Sequence, residues 1–99
     1  MANTDDTRKL VDGTYLEYKG KPLVREDNTI VYGDMGEKYV LILEIMSYKE
    51  FNGSKIPDTI FIQVVNSKDS SDVFKEGQKS GLAEALDIGL IWLERALRT

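Results

Sequence analysis

Short runs of aliphatic, β-branched and aromatic residues, separated by polar or glycine-containing segments, fill the first two thirds of the chain. Such runs are typical of β-strands. Three of them lie close together near the start, at Thr14–Tyr18, Lys21–Arg25 and Asn28–Tyr32. Two longer ones follow, at Lys38–Tyr48 and Thr59–Asn66. The pattern therefore predicts an antiparallel meander of about five strands.

The two longer runs flank Asn52-Gly53, a dipeptide that suits the positive φ angles of a type I′ hairpin turn. A two-residue turn fixes the register, because each residue then pairs with the one equally far beyond the turn. One face of the predicted hairpin is aliphatic, with Leu41 opposite Val64, Leu43 opposite Ile62, and Ile45 opposite Ile60. We expect this face to form the core.

The reverse face of the same hairpin is also largely apolar. Met46 and Phe61 lie on it, whereas Glu44 and Gln63 interrupt it. A face this apolar predicts a surface that is covered or that associates. Covering would desolvate Glu44 among its apolar neighbours, which makes it the candidate perturbed carboxylate. Exposure of Glu44 to water, or an ion pair with a lysine, is the simpler alternative.

The end of the chain has the apolar periodicity of an α-helix, from Gly81 or Leu82 to about Arg98, with Ser80 as the N-cap. Apolar residues fill an arc of about 220° on the helical wheel, more than the ~100° that one packing surface requires. Ile91 lies among the charged residues. We therefore expect cover on two sides of this helix. Gly89 either permits close approach of a neighbour or is simply tolerated.

These elements define an α+β domain, with an antiparallel β-meander and one C-terminal α-helix packed on one face. Strong curling of the sheet is left open. The domain spans residues 12–99 and follows a polar, flexible N-terminal tail at residues 1–11. Ser67–Ser71 is expected to be a polar loop, and Gly77 a chain-reversal residue before the helix.

The amino-acid composition limits the reactions that this chain could catalyse and the metals that it could bind. The 99 residues include 13 lysines and arginines against 17 aspartates and glutamates, a formal charge of −4, and no cysteine or histidine. Without imidazole or thiol groups, the usual general bases, nucleophiles and soft-metal ligands are missing. The acidic stretch Asp69–Asp72 lacks the residue order of an EF-hand loop. We expect no enzyme, no catalytic residue, no metal and no cofactor.

Charge and hydropathy also limit the partners and the compartment. An acidic chain without a basic block is unsuited to duplex nucleic acid or to an anionic membrane surface. No apolar run is long enough for a signal peptide or a membrane span, which predicts a cytoplasmic protein.

The sequence does not identify a reaction, but its excess of apolar surface favours an interaction module. We expect self-association, as a homodimer because closed two-fold symmetry is the commonest arrangement, or else contact with a protein partner. Either the apolar sheet face or the C-terminal helix would form the contact. The candidate interface residues are Ile88, Ile91, Trp92, Met46 and Phe61. Trp92 and Ile91 are the expected anchors, and an ordinary core position is the alternative for Trp92.

The tyrosines support a different interpretation. Tyr15, Tyr18, Tyr32 and Tyr39 lie on predicted strands close to lysine and arginine residues. Aromatic rings on a small meander can stack single-stranded bases or line a small-ligand site. A small-ligand or single-stranded nucleic-acid binding domain is therefore the alternative function. Half-buried tyrosines with their hydroxyls in water are the ordinary structural explanation.

Overall fold

A computed structural model describes residues 14–99, with side chains from residue 16 onward. The tail predicted at residues 1–11 lies outside the described residues. The described chain forms eight strands and one helix: β1 Thr14–Tyr18, β2 Lys21–Glu26, β3 Thr29–Tyr32, β4 Tyr39–Ile45, β5 Tyr48–Phe51, β6 Ser54–Pro57, β7 Thr59–Asn66, β8 Asp69–Ser80 and α1 Leu82–Leu97.

Six of these strands form one open antiparallel sheet in the order β1-β2-β3-β4-β7-β8. Strands β5 and β6 pair separately as a two-stranded ribbon. The single described helix packs on one face of the large sheet, against β4, β7 and β8. The predicted α+β meander with a C-terminal helix is confirmed, although the described part of the chain has more strands than the five expected.

The predicted hairpin register is also confirmed. Leu41 pairs with Val64, and every other β4–β7 pair follows the same rule. The pairing continues past the sheet, because Met46 N–H donates to the Thr59 carbonyl at 2.7 Å. The β5–β6 ribbon is thus the tip of one long hairpin, closed by Asn52 and Gly53, which both have positive φ angles, 52° and 78°.

Strand β8 is the largest departure from the sequence prediction. It begins at Asp69, so most of the expected loop at Ser67–Ser71 is strand, and it runs on to Ser80 with Gly77 in its interior. A β-bulge shifts its register beside Val64 and Val65. The predicted chain reversal at Gly77 is wrong, because the sheet edge accommodates a polar strand whose side chains are almost all exposed.

The helix begins without the side-chain cap expected from Ser80. The Ser80 hydroxyl instead donates to Asp58 Oδ1 at 2.9 Å, and Gly81, with φ 91°, occupies the N-cap position. The Gly81 N–H donates to the Asp58 carbonyl at 2.7 Å. This link fixes the start of α1 to the base of the ribbon.

The core lies between α1 and the sheet. It consists mainly of aliphatic side chains from β2, β3, β4, β7 and α1, with Leu41, Ile60 and Ile62 fully buried. A Cβ placed on Gly89 would lie 2.7 Å from Leu41 Cδ1, so Gly89 lets the helix approach the sheet closely. No polar or charged residue of the described chain is buried. No described helix is long and apolar enough to cross a membrane.

Candidate interaction surfaces

The three helix residues predicted to form an interface lie in different environments. Ile88 and Trp92 are partly buried and pack against the core, whereas Ile91 is 48% exposed. Trp92 lies over Gly77, where an added Cβ would come within 2.9 Å of the indole Cη2 atom. The Lys75 ammonium lies 5.1 Å from the Trp92 ring centroid. Much of the Trp92 ring is therefore occupied within the molecule, and Ile91 is the large apolar side chain of α1 that faces water.

Ile91 lies at the centre of a line of exposed charged residues on the side of α1 that faces away from the sheet. We call this line the outer stripe; it consists of Glu84, Asp87, Ile91, Arg95 and Arg98. The stripe is acidic before Ile91 and basic after it, and its spacing is symmetrical about Ile91. Arg98 Nη2 also lies 3.4 Å from Glu94 Oε2 beside the stripe.

The face of the sheet opposite α1 carries no described helix; we call it the open face. Alternation along the strands places one apolar row across β2, β3 and β4, formed by Val24, Val31 and Ile42. All three side chains are half-buried. Val40 and Val65 lie on the same face at one end, where each is only 2% exposed. The row through Val31 is therefore the accessible apolar row across the middle of the open face.

A second row of the open face is polar. Glu26 pairs with Thr29, and Thr29 pairs with Glu44, whose other neighbour is Phe61. Phe61 is half-buried, and Glu44 is exposed, with no ion pair to another described residue. Glu44 thus faces water at a sheet surface, the simpler of the two environments that the sequence allowed.

The open face is uniformly acidic at the regular strand positions that the structure describes. Four exposed carboxylates lie on it, from Glu17, Glu26, Glu44 and Glu76, and no lysine or arginine occupies a strand position there. The sequence analysis found only Glu44, because the hairpin turn gave a register for β4 and β7 alone. Extending the pairing through the N-terminal meander is the signal that would have found Glu17 and Glu26.

The projecting ribbon exposes further apolar side chains. Met46 is 57% exposed and Phe51 60% exposed. The ribbon is held to the sheet through Tyr48, whose hydroxyl donates to Asn28 Oδ1 at 2.7 Å and lies 3.2 Å from Arg25 Nη2. Met46 therefore lies at the border between the open face and the ribbon, two residues beyond Glu44.

The tyrosines of the meander lie mostly on the side of the helix. Tyr32 and Tyr39 are buried, and Tyr18 meets Tyr32 edge to face, with ring centroids 5.9 Å apart. The Tyr32 hydroxyl donates to the Tyr18 carbonyl at 2.7 Å. Burial raises the pKa of Tyr32, and the charges of Tyr18 and Glu37 add to this effect. Buried rings are unable to stack on nucleic-acid bases.

Beside Tyr32, a cavity of about 320 Å³ opens between the β1–β2 turn and the last two turns of α1. Its floor is apolar, with Leu93 and Leu97, and Lys19 and Lys21 lie at its rim. Lys21 forms an ion pair with Glu37 at 2.7 Å. In the described part of the chain, no cluster of acidic side chains could hold a metal ion.

Comparison with protein-family models, characterised proteins and solved structures finds no match to this chain. The structure itself defines the class of protein: an α+β domain with two accessible surfaces. One surface is a helix stripe that carries both acidic and basic residues, and the other is an acidic, partly apolar sheet face.

Proposed function

We propose that this chain is a cytoplasmic, non-catalytic interaction module that forms a homodimer through the outer stripe of α1. The observation that carries the proposal is the exposure of Ile91 at the centre of a stripe whose charges reverse sign about it. The absence of cysteine and histidine from the chain supports a non-catalytic role.

A two-fold axis through Ile91 makes the stripe complementary to itself. Two antiparallel copies of α1 would place Ile91 against Ile91, Asp87 against Arg95 of the second copy, and Glu84 against Arg98 of the second copy. Residues four and seven positions from the centre lie on the same side of a helix as the centre itself. Each unlike pair would then meet twice, once on each side of the axis.

The open face is the weaker choice for contact between two identical copies. Packing it against itself would bring together two surfaces whose exposed charges at strand positions are all carboxylates, among them Glu26 and Glu44. Opposed like charges are destabilising in an interface. A contact limited to one helix is small, so we expect a dissociation constant of about 10 µM or weaker.

Sedimentation velocity over a concentration series tests this proposal. The wild-type chain should shift from monomer to dimer, and Ile91→Asp should remain a monomer, because it places a carboxylate at the centre of the contact. Ala83→Asp is the matched control, since Ala83 is exposed on α1 but lies off the stripe. The control should dimerise as the wild type does.

Exchanging the charges of Asp87 and Arg95 distinguishes the proposed antiparallel contact from nonspecific hydrophobic association. Arg95→Asp alone should weaken the dimer about tenfold, because both symmetry-related contacts then oppose two carboxylates. The double change Asp87→Arg with Arg95→Asp should restore association. A wild type that stays monomeric at millimolar concentration, or a double variant as weak as the single one, would show that this stripe is not the interface.

A second candidate, a small-ligand binding domain, is supported by the cavity beside Tyr32. Its volume of about 320 Å³ lies at the low end of the range of small-molecule sites, roughly 300–1,000 Å³. The apolar floor suits a small aliphatic or aromatic group. Lys19 at the rim suits its carboxylate, because Lys21 is already paired with Glu37 and the lining Glu94 with Arg98. A thermal-shift screen of such acids should raise the unfolding temperature of the wild type but not of Lys19→Glu, which replaces an exposed cation of the rim with a carboxylate. No shift with any acid would remove this candidate.

A further inference from the structure

The open face differs from the outer stripe because its charges all have one sign. Its apolar row, Val24–Val31–Ile42, runs across three strands, and the row beside it is formed by Glu26, Thr29 and Glu44. A surface that is apolar along one line and anionic along the next is complementary to an amphipathic element with a cationic flank. We propose that the open face binds a basic amphipathic helix from another protein.

A helix fits the architecture of the sheet. The opposite face is already covered by α1, which crosses β4, β7 and β8. An apolar sheet face is commonly buried by a helix laid on it. The open face offers half-buried valines and isoleucine rather than a groove, so the occupant must bring its own continuous apolar stripe to this row.

Strand spacing predicts the pattern of the partner. Neighbouring strands lie ~4.8 Å apart, so Glu26 on β2 and Glu44 on β4 are separated by about 10 Å. A helix rises ~1.5 Å per residue, and about seven residues cover this distance. Lysine or arginine at positions i and i+7 of the partner would therefore face the two carboxylates, while apolar residues between them contact Val31 and Ile42.

The acidic charge also argues against the other occupants of such a face. Nucleic acid and anionic lipid would meet four exposed carboxylates at Glu17, Glu26, Glu44 and Glu76. A second copy of this chain would meet the same four. A cationic helix is the partner for which each of these charges is favourable.

Fluorescence anisotropy with a labelled synthetic peptide tests the proposal on the full chain. The probe is a helix of about 18 residues built from leucine, alanine and lysine, with lysines at i and i+7 beside the leucine stripe. It should bind with one site per chain, and binding should weaken as salt is added. A twin peptide with glutamate in place of lysine should not bind.

Reversing the charge of two carboxylates of the open face tests whether the peptide binds there. Glu26→Lys with Glu44→Lys should weaken binding of the basic peptide about tenfold, because two attractive contacts become repulsive. The matched control is Glu50→Lys with Asp72→Lys, which changes the net charge equally at two exposed carboxylates outside both the open face and the outer stripe. The control should bind the peptide as the wild type does. Backbone amide shifts on peptide addition should concentrate in β2, β3 and β4.

Three results would overturn the proposal. One is equal binding of the acidic twin peptide. Another is equal weakening by the two double variants, which would indicate attraction to net charge alone. The third is weaker self-association of the Glu26→Lys, Glu44→Lys variant than of the wild type and the control, which would identify a second copy as the occupant of this face. The first two results do not bear on Ile91, so the dimer is tested separately.

Discussion

Tyr32 joins the buried edge of the core to the turn between β1 and β2. Its ring packs against Tyr18, and its hydroxyl donates a hydrogen bond to the Tyr18 carbonyl. Desolvation by burial is the main reason that the pKa of Tyr32 is raised, with smaller contributions from Tyr18 and Glu37. The neutral phenol is therefore preferred more strongly in the folded chain than in the unfolded chain.

This preference predicts a loss of stability in alkaline solution. Below about pH 10, the ordinary tyrosine pKa, the residue is neutral in both states and contributes its full stabilisation. Above it, the unfolded chain releases the proton first, so the free energy of unfolding falls as the pH rises through the folded pKa of Tyr32. Urea titrations at about pH 8 and about pH 11 measure the loss.

Tyr32→Phe provides the comparison for that experiment. The variant lacks the hydrogen bond to Tyr18, so it should be less stable at about pH 8, by roughly 1 kcal/mol. Its stability should then fall less than that of the wild type at about pH 11, because the ionising group is gone. An equal fall in the two proteins would place the alkaline loss elsewhere.

Gly77 illustrates why secondary structure predicted from a single residue type can be wrong. A glycine shortly before a helix is typical of a turn. Here it lies within β8, paired with Ile62, and the Trp92 ring rests on it and leaves no room for a Cβ atom. The ring is fifteen positions further along the chain, and no local pattern connects the two residues. The contact also explains part of the helix's broad apolar arc, since Trp92 covers the sheet edge.

At the scale of elements, Gly89 decides how closely α1 approaches the sheet. A Cβ on Gly89 would lie 2.7 Å from Leu41 Cδ1 and 2.9 Å from Leu41 Cδ2, and Leu41 is fully buried. The sequence left open whether this glycine was required or merely tolerated. Close packing on Leu41 is the physical reason for it.

Gly89→Ala is therefore expected to destabilise the chain. Alanine gains about 1 kcal/mol of helix propensity over glycine, but overpacking a full core costs about 1–3 kcal/mol. We expect a net loss of about 1 kcal/mol in the free energy of unfolding. Urea unfolding followed by the fluorescence of Trp92, the single tryptophan, measures it.

Leu41→Val tests whether the contact with Leu41 causes the loss of stability expected for Gly89→Ala. The smaller side chain makes room near Gly89, so Gly89→Ala should cost less in the Leu41→Val background than in the wild type. Ala83→Gly, at an exposed helix position, calibrates the propensity difference without a packing contact. Stabilisation of the wild-type background by Gly89→Ala would mean that propensity outweighs the contact with Leu41.

The elements differ in how well their sequences predict them. The β4–β7 register followed from Asn52-Gly53, because a two-residue turn fixes every pair beyond it. Strand β8 was missed in large part because its side chains are polar, and an exposed edge strand has no apolar alternation to read. The extra strands β5 and β6 are the end of the predicted hairpin, which keeps the same register but pairs as a ribbon separate from the six-stranded sheet.

For the whole molecule, the order of the patterns predicted the fold class and named the apolar sheet face and the helix as contact surfaces, but it did not give the full set of residues on either surface. The charges of the outer stripe indicate a contact only once the structure shows that this side of α1 faces away from the sheet. The open face needs the complete strand order, since Val24, Val31 and Ile42 are distant in sequence and adjacent only across β2, β3 and β4. Met46 and Phe61 lie at the margin of that face rather than at its centre.

The meander order has a consequence for how quickly the chain finds this structure. Once the ribbon is counted as the tip of the β4–β7 hairpin, each strand of the sheet pairs only with the strand before or after it in the chain. Few long loops must close before strand pairing offsets the entropy lost in closing them. Folding rates rise as contacting residues become closer in sequence. The sheet can form by adding one hairpin after another, and α1, attached directly after β8, can dock as soon as its three strands are in place. Refolding should accordingly be fast for a chain so rich in β-structure.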